Sequence, residues 1–394
     1  MIKLFPMEAL GKALKQRNEF IEIDDFAMYK RCRVQSHAQG VVERDIVSGT
    51  EVKTKRQQVC RANEFLVAEI DAKVGGFGII PDSLEGAIVS SHYFLFTIDE
   101  SILDRRFLDY YIRTPSFLGQ VRAQGTTNYA AIRPNDVLNY KIPLPPLDEQ
   151  RRIVARIEEL AAKIEEARGL RRKAEEEAAI FFENSIEVVF QKLESAKARR
   201  LAQLVSKIGS GSTPLGGRSN YLSSGIPFIR SLNVRMRQFT WVDMAFIDEE
   251  THENMRGTKV RPKDVLLNIT GASIGRVACV PDNLRDANVN QHVAIIRPLA
   301  DLDSRYLMYW LSQSKVQTFI NDEQKGATRQ GFTKAQIEAL LIPLPALDEQ
   351  RRIVAHLDAL QAQIDRLKRE QAEAAAELDK LLPSILDKAF KGEL

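Results

Sequence analysis

Two stretches of the sequence, IPLPPLDEQRRIVARI (residues 142–157) and IPLPALDEQRRIVAHL (residues 342–357), lie 200 residues apart and are nearly the same. Of the 16 aligned positions, only three differ, namely Pro146/Ala346, Arg156/His356 and Ile157/Leu357. Chance does not produce a match of this length, so the chain contains a tandem duplication. Each copy ends a long segment that differs between the two halves.

The repeated stretch predicts a sharp change of secondary structure. Proline lacks an N–H group and its ring clashes with a preceding helical turn, so IPLP is expected to be extended. Asp148 and Asp348 follow at the position expected for a helix N-cap, and Glu149 and Glu349 then favour the positive end of the helix dipole. We therefore expect a long helix to begin at each aspartate.

The segments after the two junctions carry an apolar stripe with strict 4-3 spacing and one polar position each. A seam with a 3.5-residue period is typical of a coiled coil, and a polar seam residue often sets the register. We therefore predict that the helices pair antiparallel, which brings Arg171 close to Gln371; two unrelated surface helices are the alternative. A helix of about 40 residues spans roughly 60 Å. The two predicted seams are Ile153, Ile157, Leu160, Ile164, Ala167, Arg171, Ala174, Ala178, Phe181 and Ile353, Leu357, Leu360, Ile364, Leu367, Gln371, Ala374, Leu378, Leu381.

Composition narrows the class of protein. A chain of 394 residues exceeds one ordinary core and predicts two or more domains. The sequence has no apolar run long enough for a transmembrane helix or a signal peptide. Three cysteines without a CxxC pair and five scattered histidines predict neither a disulfide framework nor a metal site, and they favour the cytoplasm. The aromatic rows Tyr110–Tyr111 and Tyr309–Trp310 are expected in the core.

The order of variable segment, repeated helix, variable segment and repeated helix resembles the specificity subunit of a type I restriction-modification system. Besides the junctions, the resemblance is carried by three further stretches: TGASIGRVACV (270–280), NVNQHVAIIRP (288–298) and the terminal FKGEL (390–394). The first variable segment departs from this pattern, with VGGFGIIP (74–81) and VSSHYFLF (89–96) in the corresponding places.

The resemblance implies an α+β protein with two α/β target-recognition domains, separated by two long helices that form an antiparallel intramolecular coiled coil. The expected segments are a first recognition domain (1–147), a first helix (148–200), a second recognition domain (201–347) and a second helix (348–394). Each domain is expected to recognise one half of an asymmetric, bipartite double-stranded DNA target, and the helices are expected to set the gap between the halves.

The resemblance also implies partners. Two methyltransferase subunits and the restriction/translocase subunits are expected to dock on this non-catalytic chain, with S-adenosylmethionine, ATP and Mg²⁺ bound by those partners and no cofactor bound here. The net charge of +3 predicts weak DNA binding by the chain alone.

Residues that combine cations, amides and hydroxyl groups are the candidates for DNA contact, because such mixtures suit phosphate positioning and recognition of base edges. A solvated loop is the alternative for any one of them, and His92 and His292, which recur in register, fit a framework role equally well. In the first half the candidates are Lys30, Arg31, Arg33, Gln35, His37, Lys53, Lys55, Arg56, Lys73, His92 and Thr126. In the second half they are Ser210, Ser212, Thr213, Arg218, Arg230, Asn233, Arg235, Arg237, Thr270, Ser273, Asn290, Gln291, His292, Thr328 and Arg329.

Two other classes of function stay open on the sequence. Glu51-Val-Lys53 and Asp71-Ala-Lys73 resemble the acidic-x-Lys half of a metal-dependent nuclease, which would make the chain a stand-alone nuclease with tandem DNA-binding domains. A coiled-coil scaffold without DNA specificity is the third hypothesis. The sequence contains no GxxxxGK[ST] motif, so nucleotide hydrolysis is not expected.

Overall fold

The computed structural model describes residues 5–121, 131–214, 216–217, 221–325 and 331–394. The chain divides into two compact units, the first formed by residues 1–171 with 372–394 and the second by residues 172–371. In the described residues, no helix combines the length and the apolar character needed to span a membrane.

Two helices, α4 (Leu147–Gln191) and α9 (Leu347–Phe390), are much longer than the others. The bounds of the helices in the described residues are α1 Arg105–Tyr111, α2 Pro115–Leu118, α3 Pro134–Asn139, α4 Leu147–Gln191, α5 Glu249–Asn254, α6 Ser304–Leu311, α7 Ser314–Lys325, α8 Lys334–Ala339 and α9 Leu347–Phe390.

The strands are short and fall into several small sheets. In the first unit they are β1 Met7–Ala9, β2 Leu14–Arg17, β3 Phe20–Glu22, β4 Met28–Val34, β5 Val41–Ser48, β6 Arg56–Val59, β7 Phe65–Ala68, β8 Phe77–Ile79, β9 Ile88–Val89, β10 Tyr93–Ile98 and β11 Lys141–Pro143. In the second unit they are β12 Ala198–Arg200, β13 Val205–Ser210, β14 Ile226–Ile229, β15 Val234–Arg235, β16 Gln238–Phe239, β17 Ala245–Ile247, β18 Val265–Asn268, β19 Val277–Cys279, β20 Asn288–Val289, β21 Val293–Pro298 and β22 Leu341–Pro343.

The two units share a framework. The first contains an antiparallel sheet in the order β2-β10-β7-β8, and the second contains its counterpart in the order β13-β21-β18-β19. A parallel strand pair also recurs, β4 with β9 and β14 with β20. The first two residues of each IPLP segment lie in β11 and β22, which pair with β1 and β12. The predicted mixed α/β domains and the duplication are therefore confirmed.

The glutamine that both junctions contain has a structural role in connecting the long helix to the domain before it. Gln150 is completely buried, and its Oε1 accepts a hydrogen bond from the Asp104 backbone N–H at 2.8 Å. Its Nε2 donates to the carbonyl groups of Ile102 and Pro145, each at 2.9 Å. These bonds tie the start of α4 to the loop that precedes α1.

Gln350 repeats this arrangement in the second unit. It is also completely buried, accepts from Asp303 N–H at 2.9 Å and donates to the carbonyl groups of Asp301 and Pro345 at 2.9 and 3.0 Å. Buried backbone groups without hydrogen-bond partners cost free energy. In each half the glutamine amide pairs with one backbone N–H and two carbonyl groups, so both halves need glutamine at this position. The repeated motif is therefore a connection between a recognition domain and a long helix.

Both long helices begin one residue earlier than the sequence indicated, at Leu147 and Leu347. The prediction of Asp148 and Asp348 as N-caps is wrong, because both lie in the first turn. The side chain of Asp148 is almost fully exposed and lies 3.7 Å from Arg151. The aspartates therefore favour the helix dipole from within the first turn.

In the first unit, the beginning of α4 packs beside the end of α9. Ile153 and Ile157 of α4 share one core with Leu386 and Ala389 of α9. The ring of Phe390 lies 5.0 Å from that of Phe107 and also 5.0 Å from that of Tyr111. The last turn of the chain therefore completes the core of the first recognition domain.

In the second unit, the end of α4 packs beside the beginning of α9. Phe182 and Ile186 share a core with Ile353 and Leu357. Phe190, 200 residues before Phe390, lies 5.2 Å from the ring of Tyr306. In each unit, the start of one helix thus lies beside the end of the other, and the predicted antiparallel coiled coil is confirmed.

The predicted seam is correct in its first part and wrong near the end of each helix. Phe181 was assigned to the seam but is 58% exposed, whereas Phe182 is 3% exposed. In α9, Leu381 is 44% exposed and Leu386 is buried. A helix has 3.6 residues per turn, so a strict 3.5 spacing drifts around it, and the last turns pack on a recognition domain. The boundary between the units falls directly after the polar positions 171 and 371. The pairing of Arg171 with Gln371 stays a prediction.

The aromatic rows have the predicted role in the core. Tyr111, Tyr309 and Trp310 are buried, at 2%, 2% and 6% exposure, whereas Tyr110 is half-buried and packs against the core of the first unit. Burial raises the pKa of Tyr309, and the hydrogen bond from its hydroxyl group to Asp358 raises it further. Asp358 lies on α9 and also pairs with Arg305 of α6 at 2.7 Å. In the first unit, Arg106 of α1 pairs with Glu158 of α4 at 3.2 Å in the same way.

Candidate nucleic-acid interface

Sheet register brings several predicted loops of the second unit to one end of its main sheet. Ser210 at the end of β13 pairs with Ala294, and Asn268 at the end of β18 pairs with Val293 at the start of β21. The residues after β13, after β18 and before β21 must therefore lie at the same end of the sheet. This end holds the predicted residues Ser210, Ser212, Thr213, Thr270, Ser273, Asn290, Gln291 and His292.

A chain of hydrogen bonds joins four of these side chains. The hydroxyl group of Thr213 donates to Oε1 of Gln291, and Nε2 of Gln291 lies 3.1 Å from Nε2 of His292. Nδ1 of His292 lies 2.5 Å from the hydroxyl group of Thr270. When the amide of Gln291 donates to the ring, the proton of neutral His292 resides on Nδ1 and points at Thr270. The chain orients amide, imidazole and hydroxyl groups, which can donate to or accept from base edges.

Glycine allows the first of these loops to approach the others. A Cβ atom at Gly211 would overlap the carbonyl oxygens of Val289 and Asn290, so only glycine fits there. The Gly211 N–H donates to Val293 at 3.0 Å. Asn290 is 7% exposed, and its side chain accepts from the His292 backbone N–H at 3.1 Å, so it supports the loop. Ser212, Thr213 and Gln291 are exposed.

The corresponding end of the first unit has different chemistry. His92 is exposed, and its Nδ1 lies 2.7 Å from Glu69, which also pairs with Arg133 at 3.0 Å. The backbone N–H of His37 donates to Val74 at 2.6 Å, which brings the loop after β4 to the turn that contains Lys73. The sequence analysis did not identify Glu69 or Arg133, because their meeting with His92 depends on tertiary structure.

Gly75 permits this contact in the first unit. Its φ is +79°, and a Cβ atom there would lie 2.6 Å from the backbone nitrogen of Ala38. Gln35 closes the preceding loop through its N–H, which donates to Gly40 at 2.8 Å. The predicted residues Gln35, His37, Lys73 and His92 therefore belong to one group of loops. Thr126, Arg218, Thr328 and Arg329 lie outside the described residues.

Some predicted cations are exposed and have no ion pair among the described residues. These are Arg33 and Lys53 together with Lys73 of the first unit, and Arg235 of the second. An exposed cation without an intramolecular partner can approach a phosphate without first breaking a bond. These four residues are the best candidates for contacts to the phosphate groups of DNA.

Other predicted cations of the first unit already have partners. Arg31 makes two 2.6 Å hydrogen bonds to Asp45 on the neighbouring strand, and Arg31 holds the pKa of that carboxyl below its usual range. Lys30 donates to Ser83 O at 2.8 Å, and Lys55 pairs with Asp25. The guanidinium of Arg56 lies 4.3 Å from the centre of the Phe20 ring. DNA contact by any of these residues would have to replace or share the bond described.

Two predicted residues of the second unit are placed as supports. Arg237 has φ +59° and pairs with Glu183 of α4, above the ring of Phe182 at 5.1 Å. It anchors the β15–β16 hairpin on the helix. Asn233 is completely buried, and its Nδ2 donates to the carbonyl groups of Thr240 and Val242 at 3.2 and 3.0 Å. Both side chains therefore support the hairpin and the turn from within the second unit.

The loop that Asn233 supports was missed in the sequence. It exposes Trp241 and Val242, two large apolar side chains within a polar segment. Arg230, which was predicted, donates to the carbonyl group of Asp243 and so braces the same loop. The signal available in the sequence was the apolar pair between Thr240 and Asp243.

The nuclease hypothesis gains no support from this arrangement. Glu51 and Asp71 each lie in a separate 3₁₀ turn. In the described part of the chain, one group of three His and acidic donors lies close enough for metal ligation, formed by Glu249, His252 and Glu253 on α5. His252 is buried with Nδ1 2.6 Å from Asn288 Oδ1, and Glu253 pairs with Lys259 at 2.5 Å. Neither acidic-x-Lys segment takes part in this group.

Comparisons with known proteins agree with the geometry of the two units. The family model for the type I restriction modification DNA specificity domain matches residues 7–176 and 196–376. The chain is 24% identical to the type I restriction enzyme EcoBI specificity subunit of Escherichia coli over 335 residues, which cover 79% of this chain and 70% of the relative. It is 26% identical to the putative MjaX specificity subunit of Methanocaldococcus jannaschii over 269 residues, covering 64% and 60%.

Solved structures show the same architecture over the whole length. A chain from a structural study of complex assembly and conformational transition in the type I R-M system is similar with a TM-score of 0.69 and 27% identity, with both chains fully covered. The HsdS subunit from Thermoanaerobacter tengcongensis is similar with a TM-score of 0.61 and 27% identity over 99% and 97% of the two chains. With two matched domains and a shared fold, this chain belongs to the family of type I restriction-modification specificity subunits.

Proposed function

We propose that this chain recognises a bipartite, asymmetric DNA sequence, one half with each unit. The supporting observation is that one framework carries two different sets of loop side chains. In the second unit, Thr213, Gln291 and His292 form a polar chain, whereas the first unit has His92 beside Glu69 at the corresponding end. Identical binding surfaces would favour a symmetric target, and dissimilar ones favour two unrelated half-sites.

Methylome sequencing of a host that expresses the chain with its modification subunits tests this proposal. We expect one bipartite motif with unlike halves. Replacing Gln291 with Ala should relax one position in a single half, because a good bidentate base contact contributes about 1–3 kcal/mol of discrimination. His92→Ala provides the comparison in the other unit and should leave that half unchanged. A symmetric motif, or a loss of specificity in both halves from Gln291→Ala, would contradict the assignment.

The two long helices are proposed to set the number of base pairs between the half-sites. The helices are continuous over residues 147–191 and 347–390, and each contributes one part to either unit. Inserting four residues into both helices lengthens each by about 6 Å, which corresponds to one or two base pairs at 3.4 Å per step. We expect the preferred gap in the methylated motif to increase accordingly. An unchanged gap would reject this role for the helices.

The same helices are proposed to dock the two methyltransferase subunits and, through them, the restriction/translocase subunits. Leu170, Ile180, Phe181 and Val188 of α4 are large apolar side chains that are about half or more exposed. Such side chains favour a protein interface when they share a face. In this assignment the chain itself is non-catalytic, S-adenosylmethionine, ATP and Mg²⁺ bind to the partners, and the assembly acts on DNA in the cytoplasm. Copurification with each partner, with and without Phe181→Ser, measures the docking.

A further inference from the structure

The loop between β16 and β17 presents an apolar pair to solvent. Trp241 is 47% exposed and Val242 is 61% exposed. Both belong to the second unit, where the nearby residues 228–238 carry Arg230, Arg235 and Arg237. Adjacent exposed aromatic and aliphatic side chains beside cations suit a binding surface for an anionic partner.

Hydrogen bonds from the buried Asn233 side chain and within the loop fix the conformation of the loop between β16 and β17. Nδ2 of the buried Asn233 donates to Thr240 O and Val242 O, and the N–H of Val242 donates to the Thr240 hydroxyl group at 3.2 Å. The indole of Trp241 meets the ring of Phe239 edge-on at 5.4 Å. A side chain presented on such a braced turn loses little conformational entropy on binding.

Further hydrogen bonds place this loop next to the polar end of the main sheet. Nδ2 of Asn268 donates to Ser231 O at 2.9 Å and to the Ser273 hydroxyl group at 3.2 Å. Ser231 begins the turn that contains Asn233, and Ser273 belongs to the same loop as Thr270. The apolar pair is therefore connected through Asn233 and Asn268 to the loop that carries the polar hydrogen-bond chain.

Charge favours a polyanionic occupant over a protein surface. Arg235 is exposed and has no ion pair among the described residues, and Arg230 lies beside the loop through its bond to Asp243 O. Within residues 228–244 there are three arginines and one acidic residue, Asp243; Arg237 pairs with Glu183 of α4, which leaves Arg230 and Arg235 as the cations beside the loop. An exposed turn of the first unit differs in this respect, since Phe26, at 97% exposure, is flanked by Asp24 and Asp25.

We infer that Trp241 and Val242 form a wedge that enters the DNA minor groove at the half-site recognised by the second unit and unstacks one base step. Apolar side chains inserted between base steps kink a duplex, while neighbouring cations neutralise the flanking phosphates. The wedge adds sensitivity to the deformability of the step it enters, so the half-site should favour a flexible step such as TA or CA there. This inference rests on the proposed recognition of DNA by the second unit.

The test uses the full chain bound to its modification subunits and duplexes that contain the motif found by methylome sequencing. 2-Aminopurine is placed in turn at each position of the second unit's half-site. With the unaltered chain, we expect a several-fold rise in fluorescence at one position. Trp241→Ala should abolish that rise and weaken binding about 5- to 100-fold, since base–aromatic stacking contributes on this scale. Trp241→Phe should restore part of both signals.

Phe26→Ala is the matched control, because it removes an exposed aromatic side chain from an acidic turn of the first unit; it should change neither signal. Thermal unfolding and copurification with the modification subunits accompany each variant. Unchanged fluorescence and affinity in Trp241→Ala overturn the wedge, and so does a loss of the modification subunits, which would make the surface a protein-docking site. A complex of the unaltered chain that shows no sequence preference removes the proposed function itself, which is a different result.

Discussion

Gln150 and Gln350 show how one side chain can join a recognition domain to a long helix. Each is fully buried and makes three hydrogen bonds to backbone groups of a loop and of its own junction. A buried amide with all partners present is stable, whereas its loss leaves several backbone groups unpaired. The strict repetition of this glutamine therefore has a structural cause that is independent of the DNA sequence recognised.

Gln350→Leu tests this at the residue scale. We expect the free energy of unfolding to fall by about 2–4 kcal/mol, because Asp303 N–H and two carbonyl groups lose their partner. Calorimetry of the full chain measures the change. Gln363→Leu, at an exposed position of α9, is the control and should shift stability by less than about 0.5 kcal/mol. Equal effects of the two substitutions would contradict the role of Gln350.

The candidate DNA-contact residues fall into two groups, those whose side chains hold a loop in place and those whose side chains are exposed at a loop surface. Asn233 and Arg237 looked like base and phosphate contacts in the sequence, yet both have partners that hold a hairpin or a turn. Thr213 and Gln291 lie at loop surfaces as expected. The residue types were informative, but burial, which depends on long-range packing, determined their roles.

At the scale of single elements, the apolar seam predicted for each long helix differs from the face that the helix buries. The first helix follows the predicted seam to residue 178 and then buries Phe182, one position after the predicted Phe181. In the second helix the predicted Ala374 and Leu381 are exposed, while Leu382 is half-buried and Leu386 is buried. Phe182 and Ile186 pack on the second unit's core instead of continuing the strict heptad. A seam near a helix end is therefore set by the domain packed there as well as by the partner helix.

Phe182→Ala and Phe181→Ala form a matched pair that tests this register. Removing the buried ring of Phe182 should cost about 3–5 kcal/mol, because it leaves a cavity in the core. Removing the exposed ring of Phe181 should cost less than about 1 kcal/mol. Chemical denaturation of the two variants measures the difference. The opposite ranking would show that the strict heptad seam is the correct one.

Considered as a whole molecule, the chain closes each core with a segment from far along the sequence. The first unit contains residues 1–171 together with 372–394, so Phe390 packs on Phe107 and Tyr111 across more than 270 positions. Phe190 closes the second unit on Tyr306. The duplication thus exchanges helix ends between its halves, and neither recognition domain is complete within its own half of the sequence.

Phe390→Ala tests this exchange. Amide hydrogen exchange should speed up in α1 of the first unit, while α6 of the second unit stays protected. The loss of a partly buried ring should destabilise the first unit by about 2–4 kcal/mol. Phe190→Ala should give the reverse pattern. Faster exchange in α6 after Phe390→Ala would contradict the assignment of the last turn to the first unit.

The sequence by itself determined the duplication, the extended-to-helix junctions, the two paired helices and the family, because proline geometry, apolar period and residue identity are local signals. The residue types in the sequence also indicated which loops carry polar side chains. Only the tertiary structure decided that Thr213, Gln291 and His292 form one hydrogen-bonded chain and that Asn233 supports the loop bearing Trp241. Those meetings depend on sheet register and on backbone contacts between distant segments, which no local pattern encodes.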